Sequence, residues 1–387
     1  MPQGRKGIKM RKRTVWLLLP MLAVCMAACG GKEAAEGTDV QNDTAVEAEE
    51  EDAEDAESFS ASSAIQKPVS CADLTSTIIS LGAYKGLPAV RSVAEVTGED
   101  VEAEIRAVKK DYGELTEVDR PAQMGDVVVI NYTGYVDGET MDSLQGAEFS
   151  LELGSGQFVP GFEEQLVGAL INEKCEVNLT FPQDYYEEMA GKEAYFEVYI
   201  ESISAYVVEG WGDDFIRENL EYESEEDMRA SIREELQTAA EEDADTQVEY
   251  DLVMALLNGS EFDVQEEDVE AYIDEMISEY ETYAALYQMT LEDYLKSFQM
   301  TEEQLRNMYR ETADFRVRMV LALQAVADAE QLEVTEEECQ AKVEELAAEY
   351  GYSDPAAVES VYSRDIIKEQ MRQERALMLI KEYAAIS

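Results

Sequence analysis

Histidine is absent from all 387 residues, so mechanisms built on an imidazole base, a Ser-His-Asp triad or a His-rich metal site are excluded. Of the five cysteines, Cys71, Cys175 and Cys339 are an odd number scattered far apart, which sets out neither a disulfide framework nor a metal motif. Cys175 shares the apolar parity of Val177, Leu179 and Phe181 and is expected as buried filler. Carboxylates are the abundant reactive group: 86 acidic residues stand against 30 basic ones, a formal charge of −56. Runs such as Glu225-Glu226-Asp227 and Glu336-Glu337-Glu338 read as solvated helix starts favoured by the dipole. A Ca²⁺-binding cluster is the alternative, but no EF-hand spacing is present. A surface this acidic repels nucleic-acid phosphates, so nucleic acid is excluded as a partner, and neither a cofactor nor a metal is expected.

Cys29 has a setting with its own chemistry. Arg5, Lys6, Lys9, Arg11, Lys12 and Arg13 form a basic stretch, followed by an apolar run from Val15 to Val24 that is too short to span a bilayer stably. The run closes on Met26-Ala27-Ala28-Cys29-Gly30-Gly31, which resembles a bacterial lipobox, small residues before a cysteine whose thiol takes a lipid. Residues 1–28 are therefore expected to be a lipoprotein signal peptide and Cys29 the lipidation site. Cys25 is the weaker candidate, because bulky Val24 would stand just before the cleavage point, and an ordinary cleaved signal is the alternative. Losing six basic residues and no acidic one would leave 24 basic against 86 acidic, a charge of −62, so the membrane anchor would be lipid and not electrostatic. Glu33 to Ile65 holds twelve acidic residues and no basic one, and residues 29–68 read as an extended acidic tether.

The length predicts two or three domains. Residues 69–118 read as a connecting strand and helix that pack on the helical domain: Tyr84-Lys85-Gly86-Leu87 and the valines after it suit a strand, and Thr97 with Asp100 makes a capping box. Val101, Ile105, Val108, Tyr112 and Leu115 then put an apolar stripe on one helix face. Over residues 119–205 the period changes to alternation, predicting strands at Val127–Tyr132, Phe149–Leu153, Cys175–Phe181 and Tyr195–Ile203, with Phe196, Val198 and Ile200 inward. One short helix, Phe162 to Gly168, would cover the inner face. Residues 206–387 read as all helical, with at least five helices. Capping pairs stand at Ser224/Asp227, Thr290/Asp293, Thr301/Gln304 and Thr335/Glu338, and Asp354-Pro355 marks one more start. Val269, Ile273, Met276, Ile277 and Tyr280 make one stripe; Ile366, Ile367, Met371, Ala376, Leu377 and Ile380 make another.

Three ordered blocks carry a resemblance. Gly125-Asp126-Val127-Val128-Val129-Ile130-Asn131-Tyr132-Thr133-Gly134, Leu153-Gly154-Ser155-Gly156-Gln157-Phe158-Val159-Pro160-Gly161-Phe162-Glu163 and Phe181-Pro182-Gln183-Asp184-Tyr185 resemble the FKBP-type peptidyl-prolyl isomerase domain in its trigger factor variant. The resemblance runs from Tyr84 through the helical remainder. A ribosome-docking domain with a Gly-Phe-Arg-x-Gly-Lys loop, usual in that family, has the signal and tether in its place, so no ribosome is expected as a partner.

The resemblance implies an α+β protein: a small antiparallel FKBP-like sheet domain with one short helix, and a larger all-α domain like the chaperone arms of trigger factor and SurA. It implies a prolyl pocket of Tyr132, Met141, Asp142, Phe149, Phe158, Val159, Phe162 and Phe196, with Tyr185 or Tyr186 at the rim. Phe162 would lie beneath the proline ring, Tyr132 and Asp142 would hold the substrate backbone, and the Val159 N–H would meet a substrate carbonyl. Met141 stands where the family usually has phenylalanine, and Phe162 where many simple FKBP domains have tryptophan. Rotation about a prolyl bond needs no nucleophile and no proton transfer, only a site that binds the twisted amide better than the planar ones. A chain without histidine can therefore catalyse it. The expected partners are unfolded or nascent secreted polypeptides containing proline, and the membrane through the lipid. Methionines 254, 276, 289, 300, 308, 319, 371 and 378, with tyrosines 280, 283, 287, 294 and 309, would suit an adaptable client-binding surface, although residue by residue core filling is the favoured reading. A chaperone or scaffold lipoprotein with an inactive pocket is the alternative function.

Overall fold

The computed structural model describes residues 68–186 and 188–387; the expected signal, Cys29 and nearly all of the expected tether lie outside the described residues. In chain order come strands β1 (Thr77–Ser80) and β2 (Pro88–Ala89), helix α1 (Gly98–Tyr112), and strands β3 (Glu114–Glu117), β4 (Val127–Val136), β5 (Gln145–Glu152), β6 (Lys174–Thr180) and β7 (Glu193–Val207). Helices α2 (Asp213–Asn219) and α3 (Glu225–Asn258), strand β8 (Glu261–Asp263), and helices α4 (Glu266–Leu286), α5 (Leu291–Ser297) and α6 (Glu302–Ala329) follow. Helices α7 (Glu336–Glu349), α8 (Ala356–Val361) and α9 (Arg364–Glu382) precede a last short strand, β9 (Ala385–Ile386).

Residues 93–242 form one compact unit; residues 68–92 with 243–387 form a second. The stretch 69–118, expected as a single connecting piece, thus divides at 92/93, and residues 206–242 group with the sheet and not with the later helices. Burial partners explain the first unit. Val101 and Ile105 of α1 pack on Ile216 of α2 and on Met228 and Ile232 of α3, closing a small core of their own. The Thr97–Asp100 capping box starts α1 as expected. Its stripe stops short, however, because Tyr112 is exposed at the helix end and Leu115 already belongs to β3.

The sheet of the first unit has the order β3-β7-β4-β5, with β6 also paired to β7, and every pairing is antiparallel. Phe196, Val198 and Ile200 face inward as the alternation requires. Beyond Ile200 the register slips, since Ile130 opposes Ile200 while Val129 opposes Ser202. That bulge moves the inward positions to Ile203 and Ala205, a change of parity that strict alternation does not foresee. The expected helix at 162–168 is only a 3-10 turn, Glu164–Leu166, yet Phe162 and Leu166 are fully buried and do cover the inner face. Cys175 packs against the sheet core as expected but is only half-buried, since among the described residues β6 is paired with β7 alone.

In the second unit two short pairings tie the early chain to the late one. β1 runs antiparallel to β8, and β2 parallel to β9. Residues 68–76 are held by carboxylates. The Val69 N–H donates to Glu275 at 3.0 Å, the Cys71 N–H to Glu369 at 3.1 Å, and the Thr75 and Ser76 N–H groups to Asp268 at 3.0 and 2.6 Å. Val69 and Leu74 pack against the apolar face of α4, where Val269, Ile273, Met276 and Ile277 are buried. Ile366, Ile367, Ala376, Leu377 and Ile380 of α9 are buried likewise. The capping boxes at Thr301 and Thr335 are complete, and the Asp354 side chain accepts from Ala356 N–H. With few bases available, single arginines serve two acids: Arg306 of α6 meets Glu270 and Asp274 of α4 at 2.7 and 2.6 Å.

Candidate functional site

β4, β5, β7 and the loop after β5 bring five rings into one cluster. The Tyr132 ring stands edge-on to Phe149, Phe158 and Phe162 at centroid distances of 6.2, 5.2 and 6.3 Å. Phe196 closes the far side, edge-on to Phe162 at 5.3 Å. Phe162 is 0% exposed, so it is the bottom of the cluster, while Phe149 at 37% marks its mouth. Perpendicular ring pairs of this kind add about 0.5–1.5 kcal/mol each beyond burial. Met141 and Val159 pack against the same core, half-buried. Asp142 opens a 3-10 turn, Asp142–Leu144, between β4 and β5, which places its backbone beside Met141.

The rim residues form a second stack in the loop after β6. The Tyr185 ring lies on Phe181 at 4.8 Å, and Tyr186 stands edge-on to Tyr185 at 5.0 Å with 60% of its surface exposed. Tyr185 also packs on the domain core, and Phe181, read from the sequence only as part of a strand end, is what supports it. Burial, reinforced by the neighbouring Tyr185, raises the Tyr132 phenol above its usual range, so its hydroxyl is a neutral donor at physiological pH. The Val159 carbonyl accepts from the Phe162 N–H at 3.1 Å; its own N–H has no acceptor among the described residues and can meet a ligand carbonyl.

Two features of the site went unread in the sequence. Glu163, 4% exposed, accepts from the N–H groups of Gly154, Gly156 and Phe158 at 2.6, 3.2 and 3.1 Å, and so fixes the loop that carries Phe158 and Val159. The signal was present: an acid directly after Phe162 with a glycine-rich loop before it, whose N–H groups need an acceptor. Gly134 on β4 lies under Phe196, and a β-carbon there would fall 2.3 Å from the ring. Only glycine lets that ring lie flat on the strand.

An open cleft of about 410 Å³, lined by Asn131, Thr133, Gln145, Gly146, Ala147, Glu197 and Tyr199, shares only Tyr132 with the aromatic cluster. Its walls mix amides, hydroxyls and one carboxylate engaged by Lys174 with the Tyr132 and Tyr199 rings, so it is less uniformly apolar than the aromatic cluster. Chemically the aromatic cluster is the better candidate: it offers no nucleophile or base, but an apolar box with one phenol and one backbone N–H at its edge. Among the described residues no group of His, Cys, Asp or Glu side chains is arranged to hold a metal ion.

Comparison with known proteins bears on the same segments. Residues 118–201 match the family described as FKBP-type peptidyl-prolyl cis-trans isomerase, and residues 224–382 the family described as bacterial trigger factor protein C-terminus. The trigger factor of Halothermothrix orenii is 36% identical over 271 residues, which are 70% of this chain and 63% of that protein, less than two thirds of its length. The trigger factor of Geobacillus kaustophilus is 34% identical over 312 residues, covering 80% of this chain and 73% of the relative.

Proposed function

The chain belongs to the trigger factor family and carries an FKBP-type peptidyl-prolyl isomerase domain, and on that footing we propose that it is an isomerase joined to a chaperone body, anchored outside the cytoplasm and acting on unfolded, proline-containing secreted polypeptides. The observation that carries the catalytic part is the aromatic cluster with Phe162 at its bottom. The barrier to rotation, roughly 18–20 kcal/mol, comes from amide resonance that is lost as the bond twists. An apolar box disfavours the more dipolar planar amide, and a pyrrolidine ring gripped there lets the carbonyl side turn. The Val159 N–H and the Tyr132 hydroxyl hold the substrate backbone. Asp142, beside Met141, completes that role in this reading.

The chaperone part rests on apolar surface in the second unit. Around α5 and the turn before it, Tyr283, Leu286, Tyr287 and Phe298 are 53–69% exposed, and Tyr294 stacks on Tyr287 and stands edge-on to Phe298. Exposed apolar groups gathered in this way suit transient binding of unfolded chain. The methionines divide: Met289, Met308 and Met378 are exposed, while Met276 and Met319 are core. Residues 68–387 should therefore speed the proline-limited refolding of a denatured protein and suppress its aggregation at low and at high salt. Suppression that fades as salt rises would mean the clients are held by charge; an absent isomerase rate would favour a scaffold with a closed pocket, the second reading, which the complete burial of Phe162 supports.

The location rests on the sequence around Cys29. Cells fed a clickable fatty acid should label the wild-type chain and not Cys29→Ala. Label that survives this change and disappears with Cys25→Ala would move the anchor; label on neither would remove the lipid. A lipid-held folding helper would work away from the ribosome, on chains that have already crossed the membrane.

A further inference from the structure

We propose that the open cleft on the outer face of the sheet is a binding site for a neutral carbohydrate, with Tyr199 as the ring on which a sugar unit stacks. This goes beyond the isomerase reading and does not rest on it. Along β4, Val128 and Ile130 are buried, so Asn131 and Thr133 point to the opposite side. Along β7, Glu197 and Tyr199 alternate in the same way with buried Phe196, Val198 and Ile200. These four lining residues therefore stand on the face turned away from the aromatic cluster.

A bulge in β5 shapes the hollow. Tyr132 opposes Gly146 and Ile130 opposes Phe149, so Ala147 and Glu148 both stand opposite Asn131. Glu148 takes a left-handed backbone at φ 51°. The Asn131 side chain pins it there, accepting from the Glu148 N–H at 2.8 Å and donating to Glu201 at 2.5 Å. The open volume of about 410 Å³ falls within the roughly 300–1,000 Å³ of pockets that hold small organic ligands.

The walls choose the ligand by charge and by shape. Glu197 is the only charged residue in the lining, and Lys174 neutralises it at 2.5 Å. An anion would meet that carboxylate, with Glu148 and Glu201 both bonded to neighbouring Asn131. A cation would have to displace Lys174, which also reaches Glu176 at 3.2 Å. An uncharged polar ligand remains. Among the described residues the Thr133 and Tyr199 hydroxyls have no partner, and the Gln145 amide makes one long contact, 3.5 Å to the Met141 carbonyl. Those groups suit ring hydroxyls, while the Tyr199 ring, 44% exposed, suits the C–H face of a pyranose.

A peptide is the other uncharged polar ligand, but the floor offers it no ladder. β4 is paired on both sides, to β5 and β7, so the backbone there is already spent. Tyr195, on the same face, is covered by Lys174 at 5.8 Å, which leaves Tyr199 as the platform and limits the site to a short stretch of polysaccharide. If the chain is held outside the cytoplasm, as proposed, envelope polysaccharide supplies that chemistry.

The test is amide NMR of the full chain titrated with two neutral trimers, tri-N-acetylchitotriose and cellotriose. At least one should shift the Thr133, Gln145 and Tyr199 signals with a Kd of about 1 mM, leaving those of Phe158 and Phe162 in place. Binding of the first alone would show that acetamido groups are read, binding of both that hydroxyls suffice. Tyr199→Thr keeps a strand former at an exposed position and should weaken binding about twofold to tenfold, the worth of one aromatic contact, with the rest of the spectrum unchanged. Gln145→Ala should weaken it by about as much. No shift at these residues with either trimer up to about 20 mM, or undiminished affinity in both variants, overturns the proposal. So does tighter binding of a neutral Gly-Ser-Gly peptide at the same signals, or shifts confined to Phe158 and Phe162. Prolyl turnover is a separate measurement, so the isomerase reading stands or falls independently.

Discussion

Replacing Phe162 by alanine is expected to lower kcat/KM for a prolyl peptide by about 100-fold, the equivalent of losing roughly 3 kcal/mol of transition-state binding. The ring is the bottom of the cluster, touched by Tyr132, Phe158 and Phe196. The same change also costs stability. Phe162 has no exposed surface and belongs to the sheet core with Ile130, Leu166 and Val198, so truncation to alanine should destabilise the first unit by about 3–5 kcal/mol. The fold therefore does not simply persist, and lost activity must be separated from lost structure. Phe162→Leu keeps most of the volume and should hold the domain within about 1.5 kcal/mol of wild type while still removing the flat face. Activity measured well below each variant's thermal midpoint decides the matter. A folded Phe162→Leu protein with the wild-type rate would take Phe162 out of the site.

The second large effect is expected at Asp268. This carboxylate is 5% exposed and accepts from the Thr75 N–H, the Ser76 N–H and the Thr75 hydroxyl, so it clasps the segment before β1 onto the start of α4. Asp268→Asn keeps one acceptor oxygen but removes the charge and replaces the second acceptor by an NH2 donor, so the Thr75 and Ser76 donors lose part of their shared acceptor. The cost should be about 2–4 kcal/mol of the second unit's stability, since hydrogen bonds to a charged acceptor are worth about 1.5–3 kcal/mol and the buried donors go unpaired. The pH dependence follows from the direction of its pKa. Burial alone would raise it, but the hydrogen bonds from Ser76 and Thr75 outweigh burial and hold it below the usual carboxylate value. A depressed folded-state pKa gives stability that is complete above the unfolded value, about 4, and is lost as pH falls through the folded one. Wild type should therefore lose stability below pH ~4 more steeply than Asp268→Asn, whose midpoint is already lower. Denaturant midpoints for the two proteins between pH 7 and pH 3 test this. Parallel curves would mean that Asp268 contributes nothing specific to the clasp.

Much was legible because it is local. The capping boxes at Thr97, Thr301 and Thr335 involve side chains three residues from their backbone partners, so spacing suffices to read them. Inward alternation along β7 up to Ile200 and the buried stripes of α4 and α9 follow from period alone, and the family resemblance of the three motif blocks then implied the α+β class with its small antiparallel sheet. The aromatic types around Tyr132 and Phe162 were visible too, and the structure brings Tyr132, Phe149, Phe158, Phe162 and Phe196 into contact.

The sequence by itself, then, determined residue types, periods and charge: no imidazole chemistry, an alternating segment before a helical one, and a strongly acidic composition. Tertiary structure decided everything that depends on which distant residue fills a given space. The bulge beyond Ile200 shifted the buried positions because the pairing with β4, not the strand's own pattern, sets the register. The chain divided at 92/93 because Val101 and Ile105 found Ile216, Met228 and Ile232, while Ala89 found the core of the second unit. Phe158 came to rest on Phe162, and Glu163 under the loop that leads into Phe158, because an empty aromatic box and an unpaired row of N–H groups both cost free energy that nearby side chains can remove. The register and the division at 92/93 are decided among competing long-range contacts, which no local pattern in the chain encodes.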